Sequence, residues 1–393
     1  MKKGSVFGGT LLVAGTTIGG GMLALPVLTS LGGFLPSLVI YFLCWAFMAS
    51  TGLLFLEVAL WTGNESNIVT MASKTLGIFG KIFAWVLYLF LFYCLTLAYV
   101  VGCGDLVSQA FGEKISDGTG SLIFVAIFAP VIFMGTKFVS KLNVYLVAAL
   151  AFFYFAFVAL GFSFVRQELL THVDWRLSLK ALPIAFTAFA YQGIIPTLVS
   201  YLHYDYKKIR QVILIGSLIP LIAYIIWQWL ILGIVPTFGS NSLEEALKNG
   251  DNAVYPLKNF IENPLVYPIG QCFAFFALLT SFLGVTLGLF DFLADGLQVK
   301  KTTVNKIFLC ALIFIPPLCV AFIYPGLFLR ALDFAGGFGC ALLLGLLPIL
   351  MVWRGRYHLG FKSPYSLGGG KAALILLLLF VLIELIIELL PKF

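Results

Sequence analysis

Charge is what this sequence has least of. Only 10% of its residues are Asp, Glu, Lys or Arg, while 61% are apolar and the mean hydropathy is +1.05. Soluble chains carry about 25% charged residues, so a water-soluble domain is excluded and lipid is the solvent. Histidine is scarce too: His172, His203 and His358 all lie between apolar runs, which leaves no histidine cluster inside the membrane. The seven cysteines (Cys44, Cys94, Cys103, Cys272, Cys310, Cys319, Cys340) form no CxxC pair and sit inside apolar runs, as small packing residues do. Strand-period alternation is missing, which excludes a β-barrel. A clustered acid, base or metal set is missing, which argues against a membrane enzyme, and a continuous polar pore face is missing, which argues against a channel. The net charge of +7 comes from scattered short clusters, so loop topology explains it better than a nucleic-acid partner.

What is present is a succession of apolar runs. Eleven fit spanning helices, at about 5–30, 34–61, 82–108, 120–137, 141–166, 180–200, 211–237, 266–293, 305–324, 328–353 and 371–390. The expected fold is an all-α membrane protein, one domain over 1–393: spans 1–5 (about 5–166), spans 6–10 (about 180–353) and an extra span 11 (about 371–390). The first run follows Lys2 and Lys3 and imitates a signal peptide, but no A-x-A site ends it, so it is kept as span 1. With the N-terminus cytoplasmic, sixteen of the 24 Lys and Arg fall on the cytoplasmic side, and the odd span count puts Phe393 outside. Residues 64–81 place Ile68, Met71, Leu76 and Phe79 at helical spacing, as an interfacial helix on the inner side would. In the outer loop 238–265, Ser242 and Glu245 form a capping-box pattern ahead of Ala246 and Leu247.

Two spans are interrupted. Gly15-Thr16-Thr17-Ile18-Gly19-Gly20-Gly21 sits mid-span 1, where each glycine costs about 1 kcal/mol against alanine in a helix interior. Ala190-Tyr191-Gln192-Gly193-Ile194-Ile195-Pro196 sits mid-span 6, where Pro196 removes a donor and clashes with the carbonyl of Gln192. Interruptions at matching places in two five-span sets point to an inverted repeat with a ligand site between the breaks. A half-helix starting near Met22 would turn its positive end to a carboxylate, and freed carbonyls would suit an ammonium. Free backbone thus predicts a zwitterion as ligand, consistent with the lack of Lys or Arg in the central parts of spans 1, 3, 6 and 8.

Three segments carry a family resemblance. Gly15 to Pro26 (GTTIGGGMLALP) matches the broken first helix of the amino acid/polyamine/organocation superfamily. Phe189 to Pro196 (FAYQGIIP) and Thr280 to Asp291 (TSFLGVTLGLFD) resemble the hydroxy and aromatic amino acid permeases, in particular those specific for tyrosine. The resemblance covers the whole chain and implies a five-plus-five inverted-repeat fold with broken helices 1 and 6. It also implies proton-coupled import of an aromatic amino acid, most often tyrosine, across a bacterial inner membrane, with no cofactor besides the coupling H+. The alternative is a sodium-coupled or exchange transporter of another neutral amino acid. Carried over by position, Thr17, Gly20 and Gly21 face the carboxylate and amine of the substrate, and Phe189, Ala190, Tyr191, Gln192 and Gly193 form the opposite wall. Gln192 either meets a substrate hydroxyl or ties the halves of span 6. Thr280 and Ser281 fall where sodium-coupled relatives hold an ion, although such hydroxyls often bond their own helix.

Acids inside spans are costly and usually functional. Glu57 and Asp291, near inner span ends, are the proton-coupling candidates, Glu57 having a structural hydrogen bond as its equal alternative. Asp105 and Asp333 lie nearer the outer ends, and Glu384 and Glu388 on span 11 are read as facing the surface.

Overall fold

A computed structural model describes residues 4–63, 67–112, 114–300, 302–324 and 326–390. Residues 64–66, which begin the expected interfacial helix, and Phe393, the expected outer terminus, lie outside these. Among the described residues there is no strand; ten helices are long and apolar enough to cross a bilayer, and a bent pair makes the eleventh. Lipid offers the backbone no partner, so each crossing satisfies its N–H and C=O groups within a helix. Side chains such as Phe152, Ile315 and Leu376 stay largely exposed, as a lipid-facing belt requires.

Span 1 is two helices, 1a (Val6–Thr17) and 1b (Gly20–Thr29), meeting at 51°. Span 6 is likewise split, into 6a (Leu182–Ala188) and 6b (Ile195–Tyr201). The others are span 2 (Phe34–Thr62), span 3 (Ile68–Ala110), span 4 (Asp117–Met134), span 5 (Thr136–Gly161), span 7 (Tyr206–Ile234), span 8 (Val266–Gly296), span 9 (Thr303–Ile323), span 10 (Phe328–Tyr357) and span 11 (Gly370–Leu389). The packing carries the repeat: span 1 lies on 7 as span 6 lies on 2, span 3 on 10 as span 8 on 5, and span 3 on 9 as span 8 on 4. Exchanging the two five-span sets leaves these pairings unchanged, which is what an inverted repeat demands.

Several local expectations need correcting. Spans 4 and 5 start three to five residues earlier than the apolar runs suggest, because Gly135 (φ 86°) makes the turn alone, and Lys137 and Lys141 join the helix. The expected interfacial helix is the first part of span 3, set off by Gly77 at φ 76°. Its Ile68 and Met71 are buried in protein rather than in headgroups, while Phe79 stays exposed. In the loop after span 7, Ser242 caps Leu243–Asn249 through the Glu245 amide, but the Glu245 carboxylate accepts from the Asn241 amide instead of closing the box on Ser242.

Span 10 widens into π-helix over Ala335–Leu346, between α-helical ends. Glycines let neighbours approach this stretch: Gly336 abuts Pro183 of 6a, Gly337 abuts Glu388 of span 11 and Gly339 abuts Leu91 of span 3. Span 11 consequently packs on span 10, and its Phe380 ring meets Phe47 of span 2 and Phe186 of 6a. Glu384 and Glu388 are therefore buried, not on the surface.

Candidate functional site

The two breaks meet at the centre of the molecule. Helix 1a ends at Thr17, Ile18 and Gly19 are non-helical, and 1b begins at Gly20, two residues earlier than expected. Three successive glycines each admit a different neighbour. A Cβ at Gly19 would strike Ser281 of span 8, one at Gly20 would lie 2.6 Å from the Tyr99 ring of span 3, and one at Gly21 would lie 2.8 Å from Ala188 Cα of 6a. Close packing therefore explains these glycines as fully as an exposed backbone does. Both hold at once, because Gly19, Gly20 and Gly21 also line a cavity and Gly19, the cap of 1b, offers its amides no side chain.

In span 6 the interruption covers Phe189 to Ile194, and Pro196 lies in the first turn of 6b. A proline there removes a donor that would be unpaired anyway, so it starts the second half-helix rather than breaking the first. Across the gap, the Tyr224 hydroxyl of span 7 is shared between the Thr17 carbonyl at 2.7 Å and the Ala188 carbonyl at 2.9 Å. One phenol thus satisfies a freed carbonyl at each break.

The cavity holds about 460 Å3, within the usual range for small-molecule sites. Thr17, Gly20, Gly21, Ala190, Tyr191, Gly193, Thr280 and Ser281 all line it. Its remaining wall reaches only toward the end of the molecule that carries the N-terminus, through Leu12 of 1a, Tyr88 of span 3, Asn143 of span 5 and Gly288 of span 8. The opposite end is covered, and there the Ala253 amide in the loop after span 7 donates to the Leu23 carbonyl of 1b at 3.1 Å.

Two expected wall residues point elsewhere. Phe189 is buried edge-on to Tyr41 and Tyr224. Gln192 is fully buried: its amide nitrogen donates to the Met48 carbonyl at 3.1 Å and to Thr51 Oγ1 at 3.0 Å, and its amide oxygen accepts from the Tyr191 amide at 2.9 Å. Gln192 therefore ties the break of span 6 to span 2. The Thr280 hydroxyl turns back onto its own helix, at 2.9 Å from the Phe276 carbonyl, and Ser281 lies between Gly19 and the Tyr99 hydroxyl.

The two acids part company. Glu57 accepts from Arg356 Nε at 2.6 Å, from Arg356 Nη2 at 2.5 Å and from the Leu367 amide at 3.1 Å. Its charge is matched and its oxygens are occupied, so it fastens the C-terminal ends of spans 2 and 10 to the segment before span 11. Asp291 lies one helical turn past Gly288, near Tyr88 and the mouth of the cavity.

Reading the sequence missed the contribution of span 3, whose Tyr88, Phe92 and Tyr99 line the cavity, the Tyr88 ring stacked between Phe92 and Phe292 at 4.3 Å from each. It also missed Cys340 and Leu344 on the π-helical stretch of span 10, and Asn143, whose buried Oδ1 accepts no hydrogen bond among the described residues. A lone asparagine in an apolar span was the available signal.

A model of the tryptophan/tyrosine permease family matches residues 2–388. Tyrosine-specific transport system 2 of Haemophilus influenzae is 34% identical, covering 100% of this chain and 97% of its own. Tyrosine-specific transport system 1 of that organism is 37% identical over 94% of this chain and 93% of its own. Its tryptophan-specific transport protein is 29% identical over 98% and 96%. Among solved structures, MhsT in complex with L-phenylalanine superposes over 100% of both chains with a TM-score of 0.71 at 17% identity, a likeness of fold alone.

Proposed function

The chain belongs to the tryptophan/tyrosine permease family, and on that premise we propose that it imports an aromatic amino acid, tyrosine foremost, by proton symport and alternating access across a bacterial inner membrane. The cavity between the two breaks carries this reading. Backbone amides at the start of 1b suit the carboxylate, while Phe92, Tyr99 and Tyr191 offer aromatic surface to a ring. Ring pairs of this kind gain about 0.5–1.5 kcal/mol beyond burial, enough for several-fold preference over aliphatic side chains. Asn143 supplies a polar group for a substrate oxygen or nitrogen. The names of the two relatives with 34% and 37% identity favour tyrosine.

The positive-inside bias puts the N-terminus in the cytoplasm and the C-terminus in the periplasm. On that orientation the cavity opens to the cytoplasm and the loop over 1b closes the periplasmic side, as one state of an alternating cycle does. For the proton we favour Asp291, which is near the mouth, over Glu57, which is held by a guanidinium. The test is uptake of labelled tyrosine into proteoliposomes with proton and sodium gradients imposed separately. Accumulation that follows the pH gradient at equal sodium is expected, and Asp291→Asn should abolish it. Strict dependence on sodium would turn the assignment to Thr280 and Ser281, and accumulation only from preloaded vesicles would mark an exchanger.

A further inference from the structure

The cavity between the two breaks has few polar groups to spare. Its four threonine hydroxyls turn onto backbone carbonyls, Thr17 onto Val13 and Thr187 onto Leu332 among them, each at 2.8 Å. The Tyr191 hydroxyl donates to the Met48 carbonyl at 3.3 Å, and the Tyr99 hydroxyl faces Ser281. Of the hydroxyl and amide side chains in the wall, that leaves Tyr88 and Asn143 without a hydrogen bond among the described residues.

These two lie at different depths. Tyr99 is beside Gly20 at the start of 1b, and Tyr88 comes eleven residues earlier in span 3, about 16 Å along the helix toward the mouth. Asn143 is nearer. Spans 5 and 8 run antiparallel, with Phe157 against Gly270 and the Phe153 ring stacked on Phe276 at 5.5 Å. Carried toward the mouth, that pairing sets Asn143 opposite residues 284–286 of span 8. Ser281, which lies against Gly19, is then about 5–8 Å away along the axis. The wall at that level is open, since a Cβ on Gly284 would meet nothing within 4 Å. With its carboxylate on the amides of 1b, an extended tyrosine and one hydrogen bond reach Asn143 and fall short of Tyr88.

The two ends of the half-buried Asn143 amide are unlike. Oδ1 is shut in and accepts no hydrogen bond among the described residues. Nδ2 is not shut in, so the edge that reaches the cavity carries two N–H donors. We infer, on the reading that this cavity holds an aromatic amino acid, that Asn143 recognises the ring hydroxyl of the substrate. Nδ2 donates to the phenol oxygen, and phenylalanine, which has none, leaves that donor covered and unpaired. The choice of tyrosine over phenylalanine thereby falls to span 5 and not to Gln192, whose amide is used up on span 2.

The assay is equilibrium binding of labelled tyrosine and labelled phenylalanine to the purified full chain, wild type and Asn143→Leu, a change of similar size. The expected result is a tyrosine affinity about tenfold or more lower, with phenylalanine bound as in the wild type, which also shows that the variant is folded. Loss of both ligands in Asn143→Leu and in the smaller Asn143→Ala, an unchanged ratio of the two affinities, or a ratio that shifts with Tyr88→Phe instead overturns the assignment. Unlabelled leucine separates this from the wider reading. Leucine that displaces tyrosine from the wild type as well as tyrosine itself does would overturn aromatic recognition altogether, whereas weak competition by leucine with an unchanged ratio in Asn143→Leu overturns the role of Asn143 alone.

Discussion

Gly21 and Gly193 look alike in the sequence, each a glycine within an interrupted span, yet the structure predicts opposite responses to substitution. A Cβ on Gly21 would meet Ala188 Cα at 2.8 Å, its Cβ at 3.1 Å and its nitrogen at 3.3 Å. Carbon pairs prefer about 3.5–4.0 Å, and a backbone atom cannot swing aside, so 1b and 6a would have to separate by about 0.5–1 Å. Overpacking of this kind costs about 1–3 kcal/mol. With about 2.1 cal/mol/K of unfolding entropy per residue, a chain of this length loses about 1–4 °C in melting temperature. The same separation stretches the Tyr224 bridge, so uptake should fall as well. Gly193 has nothing within 4 Å of its would-be Cβ, so Gly193→Ala should stay within about 0.5 kcal/mol of wild type. Gly193→Trp should keep the melting temperature and lose tyrosine binding, since the indole enters the cavity. The assays are thermal scanning of purified protein and equilibrium binding of labelled tyrosine. A Gly21→Ala chain that melts with wild type, or a Gly193→Trp chain that binds tyrosine normally, would refute the placement of the breaks.

Other substitutions probe the supports around the cavity. Tyr224→Phe leaves the Thr17 and Ala188 carbonyls without their donor, a loss of about 1–3 kcal/mol; unchanged melting and uptake would show that the bridge is dispensable. Glu57→Gln strands the Arg356 guanidinium and should destabilise by about 3 kcal/mol, with Glu57→Gln/Arg356→Met recovering most of it; a stable Glu57→Gln chain that has lost only its response to the pH gradient would restore Glu57 as the proton carrier. Gln192→Leu should lower stability by about 1–3 kcal/mol and leave the ratio of tyrosine to phenylalanine inhibition as in wild type. A shifted ratio would return Gln192 to the selectivity argument.

Span number and both interruptions were legible because they depend on local properties: apolar length, and glycine or proline where a helix should continue. The direction of a side chain around a broken helix is not local. Phe189 and Gln192 belong to the right segment, yet the turn after Ala188 aims both at span 2 and span 7 instead of the cavity. Tyr224 lies in an apolar span with no surrounding motif, so nothing but three-dimensional proximity marks it as the bridge. Glu384 and Glu388 on a terminal span read as surface residues, and only the glycines of span 10, far away in the chain, make room to bury them.

The clamp between Glu57 and Arg356 closes a loop of 299 residues, which sets a schedule for synthesis. At about 5–20 residues per second, a ribosome needs about 15–60 s to travel from one partner to the other. Through that interval span 2 is in or near the bilayer with a carboxylate whose guanidinium does not yet exist. All five spans of the second repeat must be made before the charge is neutralised, and the segment holding Leu367 follows last. The bond is therefore a completion mark: a nascent chain that stalls before residue 356 retains an unmatched acid at the C-terminal end of span 2.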